Sequence, residues 1–314
     1  MSSPNMRAAL LSQLGGSEGF KVSTSVPIPI PSKGTVLIKN TVASVNYVDV
    51  SDLILGQEAA GVVAAVPEDG SSGHLQVGHR VVWLWQDGYA QYTVVPASQV
   101  IKIPAGVSDE DAAGVFLTGI TALALITDAH PVQSGQTVLV HAAVGGVGLL
   151  LCQVLRNRGV TLIGTAGGPG KCELAKRYGA AHVVDYQDEK DWATKALLVD
   201  KVYDGVGKDT WEGSFQAVKA FGKVDFIGNA SGPIPPIPVE RLAVKNISVM
   251  RPALKNYIAR AGRMELYGTE ALDLVAKGKW VVHKHDRVYS LEDVERAHRD
   301  LEGRGTVGKL LIKL

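Results

Sequence analysis

Cysteine is scarce in this 314-residue chain. Only Cys152 and Cys172 are present, beside the candidate nucleotide-binding motifs, which rules out a disulfide framework and fits a reducing compartment. Charge of one sign is equally lacking: 32 basic and 31 acidic residues leave a formal charge of +1. No global field therefore draws the chain to nucleic acid or an anionic membrane, and small molecules and other subunits are the expected partners. The longest apolar stretch, around residues 138–155, is broken by His141, three glycines and Gln153, so it reads as strand, turn and helix and no membrane span is expected. Residues 1–14 lack a basic segment followed by an apolar core and a small-residue cleavage site, which predicts cytoplasmic localisation. There is no internal repeat, and the one biased patch, Pro233-Ile-Pro-Pro-Ile-Pro238, reads as a rigid loop. What is there is an ordinary globular composition, 46% hydrophobic and 20% charged, in a length that suits two domains.

The runs Thr35 to Val45, Ala59 to Val66, His79 to Leu84 and Ala90 to Pro96 are β-rich and punctuated by Gly, Pro and Asp. Short strands with no long helix between them predict an all-β unit of barrel or distorted-sandwich type. After Pro104 the pattern changes. Asp109-Glu110-Asp111 precedes helical spacing over Ala112 to Leu117 and Thr121 to Asp128. Strands then alternate with helices: strand Val138 to His141, helix Val147 to Asn157, strand Thr161 to Thr165, and helix Lys171 to Tyr178 closed by Gly179. Four further strands are predicted, at Val183 to Tyr186, Lys201 to Asp204, Lys223 to Ile227 and Ile247 to Met250. Such alternation predicts an α/β doubly wound parallel sheet. Helices at Ala271 to Gly278 and Leu291 to Leu301 and a strand at Lys309 to Leu314 form a tail expected to rejoin the β-rich domain.

His141-Ala-Ala-Val-Gly145-Gly146-Val147-Gly148 follows a buried strand and opens a helix. Glycines there let the backbone approach a pyrophosphate, whose charge the helix N-terminus stabilises. A tight turn alone would also use three glycines, and the spacing departs from Gly-x-Gly-x-x-Gly; the strand and helix context favours the nucleotide. In NAD-specific folds an Asp or Glu about 20 residues further on takes the adenosine ribose hydroxyl. Here Gly164 to Lys171 offers no carboxylate. Gly167 and Gly168 leave room for a 2′-phosphate, and Lys171 supplies its counter-charge against the local helix dipole, which favours NADPH. Tyr186 is placed either over the adenosine end or as a half-buried edge tyrosine. Gly228, Asn229 and Ser231 follow a strand end, where ligands bind in parallel sheets, although Asn229 also suits an ordinary turn.

Together with Ala43-Ser-Val-Asn46-Tyr-Val-Asp49, Gly56-Gln57-Glu58-Ala-Ala-Gly61, the run from Thr118-Gly-Ile-Thr121 to Gly148, Val202-Tyr-Asp-Gly-Val-Gly207-Lys-Asp-Thr-Trp211 and Gly228-Asn229, these motifs make nearly the whole chain resemble the zeta-crystallin type of quinone oxidoreductase, a zinc-independent branch of the medium-chain dehydrogenase/reductase superfamily. The resemblance implies a twisted barrel-like catalytic domain over 1–120 plus 256–314, a Rossmann coenzyme domain over 121–255, and a homodimer formed through the coenzyme domain. It implies NADPH contacts at Asn46, Thr121, Gly145, Gly146, Val147, Gly148, Gly167, Gly168, Lys171, Tyr186, Gly205, Gly228, Asn229, Ser231 and Arg304, with Asn46 and Asp49 on the substrate side. The implied activity is hydride or electron transfer from NADPH to a quinone. Related branches reduce enones or alkenals with the same hydride, and some zeta-crystallin relatives bind RNA; for the latter only the local patch Lys245, Arg251, Lys255, Arg260 and Arg263 offers support.

The alcohol-dehydrogenase branch carries Gly-His-Glu and an upstream cysteine, whereas this chain has Gln57 and no cysteine between Asn46 and Asp49. Two cysteines cannot build a four-cysteine structural site, and His74, His79, His283 and His285 are isolated, so no metal is expected. Without a Lewis acid the enzyme suits an acceptor that is already electrophilic, and quinones meet that condition. Asn46 and Asn229 are candidates to hydrogen-bond nicotinamide or substrate carbonyls. For Asp49 a structural role, bonded to loop amides, competes. The family's substrate-pocket loop is short here, with Ser51-Asp52-Leu53-Ile54 running straight into Gly56, and the chain is short again near Leu198-Val199-Asp200. Because a true deletion would remove part of the pocket, both places are expected to be loops missing from the chain as numbered.

Overall fold

The structure is a computed structural model that describes residues 4–11, 19–47, 49, 54–189, 191–196 and 198–314. The chain divides into two compact units, Met1–Ile120 with Arg260–Leu314, and Thr121–Ala259.

The first unit opens with seven strands: β1 (Asn5–Leu11), β2 (Phe20–Pro27), β3 (Thr35–Ser44), β4 (Glu58–Ala65), β5 (Arg80–Leu84), β6 (Tyr92–Pro96) and β7 (Val100–Lys102). The antiparallel pair β1 and β2 and the short β7 go beyond the runs read from the sequence. β3 organises the unit. One side pairs with β4, with register shifts between Leu37 and Ile38 and between Asn40 and Val42 that bend and twist the strand. Its other side pairs with β6 through Thr35 to Lys39. Helix α1 (Asp109–Ala124) then runs without a break into a π-helical turn, Leu125–Ala129. The helix thus joins the two runs of helical spacing, 112–117 and 121–128, through Gly119. One helical glycine costs only about 1 kcal/mol, and the burial of Val115, Phe116, Ile120, Leu123 and Ile126 outweighs it. Among the described residues the stretch Asp109–Ala129, not 138–155, is long and apolar enough to cross a membrane, but it opens on three acids and is mostly buried, as a core helix is.

In the second unit β8 (Thr137–Val140), α2 (Gly146–Asn157), β9 (Thr161–Ala166), α3 (Pro169–Tyr178), β10 (His182–Asp185), α4 (Trp192–Lys195), β11 (Val199–Asp204), α5 (Trp211–Ala217), β12 (Val218–Phe226), α6 (Glu240–Ala243), β13 (Ser248–Met250) and α7 (Leu254–Ile258) follow in turn. Their strands form one sheet in the order β10-β9-β8-β11-β12-β13, every pair parallel. Val138, Leu139, Val140, Val202 and Val224 are fully buried, as parallel strands covered on both faces must be. The winding reverses between β8 and β11, and at such a switch point the loops leaving the strands diverge and open a crevice. The doubly wound Rossmann sheet is thus observed.

The tail supplies α8 (Arg263–Ala276), β14 (Lys284–Ser290), α9 (Val294–Glu302) and β15 (Lys309–Lys313). β15 pairs antiparallel with Val42 to Ser44 of β3, so the C-terminus closes the first unit's sheet. Val36, Ile38, Trp83, Tyr89, Val95, Leu310 and Ile312 share that unit's core.

One buried ion pair pins the second unit. Lys201 and Asp225, with side chains 3% and 0% exposed, approach to 2.8 Å, and His130 Nδ1 lies 2.7 Å from the other carboxylate oxygen. Burial pulls the Lys201 ammonium down to about 8, against the opposing pull of Asp225. Asp225→Ala strands that charge, so urea unfolding should show a loss of about 3–5 kcal/mol; a loss below about 1 kcal/mol, the range of exposed pairs, would mean the pair is not holding the sheet.

Candidate active site

β8 delivers the chain to α2 through residues 141–145. Ala142 takes a left-handed φ of 52°, and Gly145 caps α2 in extended conformation with no side-chain cap. The first-turn N–H groups are left for an external acceptor, which is the requirement of a phosphate site. Position 148 admits only glycine, because a Cβ there would lie 2.4 Å from the Ala142 carbonyl oxygen and 2.8 Å from Ala143 C. That contact holds α2 against the loop. Gly145, Gly146, Val147 and Gly148 therefore form the tight turn from β8 into α2.

At the end of β9, Gly168 (φ 89°) caps α3 and Pro169 starts it. The Tyr186 ring lies on Gly167 so closely that a Cβ there would be 2.6 Å from the phenol oxygen. Lys171 is half-buried in the first turn of α3, and burial lowers its ammonium pKa. An acidic group does approach this loop, from β10 rather than β9. Asp185 Oδ1 accepts Gly168 N–H at 2.9 Å and Gln187 N–H at 3.0 Å, and these bonds hold its carboxyl below the usual carboxylate range.

The loops after β11 and β12 are joined to each other. Ser231 N–H donates to Val206 O at 2.8 Å, and Ala230 N–H to Gly205 O at 3.2 Å. The Ser231 hydroxyl donates to Val206 O and accepts Asp209 N–H, so its oxygen serves the loop. Asp204 Oδ1 accepts Val206 and Gly207 N–H, both at 2.9 Å, and Oδ2 accepts the Ser214 hydroxyl at 2.8 Å. Ser214 Oγ lies 3.2 Å from His141 Nε2, and Thr165 Oγ1 3.0 Å from His141 Nδ1. Burial lowers the His141 pKa, so the ring is a neutral link between loops. Gly205, Gly228, Asn229 and Ser231 thus share the carboxyl ends of adjacent strands, with Gly145 to Lys171 at the ends of β8 and β9.

Asn46, Asp49 and Arg304 belong to the first unit. Arg304 is exposed in the turn after α9 at φ 57°, and Thr121 is half-buried in α1, where the second unit begins. Asn46 and Asp49 sit in one buried polar cluster that also holds Glu58, Tyr89, His298 and Lys309. Asp49 accepts the Asn46 and Gln57 N–H groups at 2.5 and 3.1 Å and the Tyr89 hydroxyl at 2.6 Å. It is the loop-bonded carboxylate of the competing reading. Tyr89 Oη is 3.1 Å from His298 Nε2, and burial pushes that imidazole down to about 4. Sequence reading missed Glu58 as a cluster member, and with it Tyr89, His298 and Lys309. The available signal was Lys309 heading the apolar run Leu310-Leu311-Ile312.

Asp52 and Leu53 lie outside the described residues. At the second short place the expectation of a missing loop fails, because the 314-residue sequence is continuous and Val199 enters β11 directly from Leu198. The shortening there is part of the chain. Among the described residues no group of three or more His, Cys, Asp or Glu could hold a metal ion.

A family model described as zinc-binding dehydrogenase matches residues 146–275, and one described as alcohol dehydrogenase GroES-like domain matches residues 32–105. The probable quinone oxidoreductase of Schizosaccharomyces pombe is 38% identical over 317 aligned positions, 96% of this chain and 95% of that protein. The 2-haloacrylate reductase of a Burkholderia species is 32% identical over 97% of this chain and 98% of that protein. A mycobacterial protein solved in complex with NADPH superimposes with a TM-score of 0.93 at 34% identity, covering 98% of this chain and all of that one. Fold and relatives together make this chain a medium-chain dehydrogenase/reductase. Within that superfamily it belongs to the quinone oxidoreductase family.

Burial, aided by the Glu58 charge, raises Asp49 to about 7 from an ordinary 3.8, outweighing the Tyr89 and Asn46 hydrogen bonds and the Lys309 charge that act the other way. The folded state therefore binds this proton more tightly than the unfolded chain. The Asp49 contribution to stability should fall as pH rises from about 4 to about 7 and level off above. Carbon-13 NMR of the Asp49 carboxyl should give a midpoint near 7; a midpoint near 4 would mean water reaches the group.

Proposed function

We propose that this chain is an NADPH:quinone oxidoreductase that works without zinc. The observation that carries the reading is the cradle at the switch point: an uncapped α2 N-terminus closed by Gly148, with Lys171 as its cation and Asp185 spent on loop amides. A relative named for quinone reduction and a structural neighbour solved with NADPH support it.

When bound, NADPH supplies the hydride. The chain's residues do the rest. The amides at Gly146, Val147 and Gly148 hold the pyrophosphate over the turn that Gly145 N–H closes on Ala142 O, Lys171 pairs with the 2′-phosphate, and Gly167, Gly168 and Tyr186 frame the adenosine end. Thr121, Gly205, Gly228, Asn229 and Ser231 set the nicotinamide end, and Asn46 and Arg304 are proposed as cofactor contacts of the first unit. Asp49 is a supporting group on the substrate side. Gln57 stands where the zinc branch has histidine, and Glu58 already has the Lys309 ammonium at 3.1 Å; this donor set does not suit zinc. An acceptor that needs no Lewis acid follows, and a quinone is one.

A homodimer through the coenzyme unit is supported by β13, the terminal strand of its sheet, with Phe221 and Val244 exposed at 77% and 80%. Two free, buried cysteines suit the cytoplasm. RNA binding gains little, because Lys245 Nζ caps the Phe215, Gln216 and Val218 carbonyls and Arg251 donates to Phe226 O.

Reduction of an activated alkene is the second reading, favoured by the similarity to 2-haloacrylate reductase. NADPH oxidation rates across 1,4-quinones, ortho-quinones and enones separate the two. Quinones should give the highest kcat/KM, and a clear enone preference sinks the quinone assignment. In a second experiment, Lys171→Glu should lower the NADPH over NADH selectivity by roughly ten- to a hundredfold, the worth of one charge-assisted contact; unchanged selectivity would mean Lys171 does not read the 2′-phosphate.

A further inference from the structure

The polar cluster of the first unit contains a charged pair with no part in the chemistry above. Glu58 and Lys309 side chains are 0% and 4% exposed, and burying such a pair gains little over apolar residues of similar volume. What the pair grips is the Asn46 carboxamide. Lys309 Nζ donates to Asn46 Oδ1 at 2.6 Å, and Asn46 Nδ2 donates to Glu58 Oε1 at 2.9 Å. Ser44 Oγ also donates to Glu58 Oε1, and Leu117 N–H donates to Oε2 at 2.7 Å, so the carboxylate is fixed in turn.

An ammonium can only donate and an ionised carboxylate can only accept. The two groups therefore select one of the two orientations of the amide, since the flipped form would set NH2 against the ammonium and oxygen against the carboxylate. In the selected form the remaining Nδ2 hydrogen has Ser44 O at 3.4 Å, a long contact that a better acceptor can replace. Lys309 comes from the last strand and Asn46 from the end of β3, so the lock is made only when the C-terminus has docked on the sheet.

We infer that Lys309 is a positioning residue that, with Glu58, locks Asn46 so that it offers an N–H donor, and not an acceptor, to a carbonyl oxygen of the bound nicotinamide or quinone. This rests on the quinone-reductase reading.

The test compares wild type, Asn46→Ala, Glu58→Gln/Lys309→Met, and the triple variant. The paired change removes both buried charges together, which keeps the interior neutral and the fold intact. With a 1,4-quinone, kcat/KM should fall about tenfold in Glu58→Gln/Lys309→Met, as when a group that orients a ligand-binding side chain is lost. It should fall no further when the same pair is changed in the Asn46→Ala background. Wild-type kcat/KM in the paired variant, or an equal loss in both backgrounds, overturns the inference, because a purely structural role does not act through Asn46.

A measurement on wild type stands apart from turnover and from the folding of variants. The two Asn46 Nδ2 protons, assigned by their absence in Asn46→Ala, should respond unequally in nitrogen-15 spectra, one shifting downfield and the one bound to Glu58 staying in place. A shift with NADPH alone identifies the nicotinamide amide as acceptor, and a shift only when quinone joins NADP+ identifies the substrate. No shift with either, or equal shifts of both protons, overturns the proposal. Absence of quinone turnover in wild type would instead defeat the quinone reading and leave the NADPH titration to judge Asn46.

Discussion

A single methyl group at position 148 would sit 2.4 Å from a backbone oxygen. The turn from β8 into α2, the proposed nucleotide-binding end of the second unit, depends on that missing methyl. With hydrogen there, α2 starts directly over the residues that leave β8, and its first-turn N–H groups face the point where the sheet's winding reverses. A larger residue would lift the helix start away from the loop and separate the helix dipole from the phosphate it is placed to meet. The hydrophobic residues that follow, Leu149 to Leu151 and Leu155, are buried and keep the helix from relaxing outward. Close packing makes the start of α2 stiff.

Two polar networks carry that stiffness outward from the sheet. In the second unit Asp204 accepts from the loop that follows it and from Ser214, which links through His141 to Thr165 at the end of β9. Three strand ends are thereby connected by side chains with defined donors and acceptors. A buried network of this kind is favourable only when every member is satisfied. In the first unit the corresponding feature is the Asn46, Glu58 and Lys309 cluster, which joins β3, β4 and the C-terminal strand. Each network gathers residues far apart in sequence, and each orders a segment that the proposed chemistry uses.

That separation explains how much was legible beforehand. The parallel sheet and its cradle were visible because their signals are local: apolar runs of strand length, Gly145 to Gly148 directly after one of them, and Gly179 closing a helix. The short β7 was not, since only Val100 of its three residues is buried and pairing alone defines it. Helix α1 was legible as two adjoining runs, Ala112 to Leu117 and Thr121 to Asp128, because the spacing is helical on both sides of Gly119. Asn46 and Asp49 could be named from their motif, but their partners could not. Nothing local in a lysine at residue 309 says that it reaches an asparagine 263 positions away. The direction in which Asp185 turns its carboxylate is likewise set by loop amides that only the fold brings near.

Asp185 bears directly on cofactor selectivity. A carboxylate near the adenosine ribose ordinarily favours NADH, because it accepts the ribose hydroxyls and repels a 2′-phosphate. Here the nearest acid stands at the end of β10 and already accepts two backbone N–H groups, one of them at the cap of α3. Those bonds partly neutralise its field and orient it on the loop. In the proposed reading Lys171 is the counter-charge, and desolvation would strengthen its pull on a dianionic phosphate relative to the same pair in water. Selectivity in this site would come from both elements: an acid held by the backbone, and a half-buried lysine placed where the helix dipole alone would not favour it.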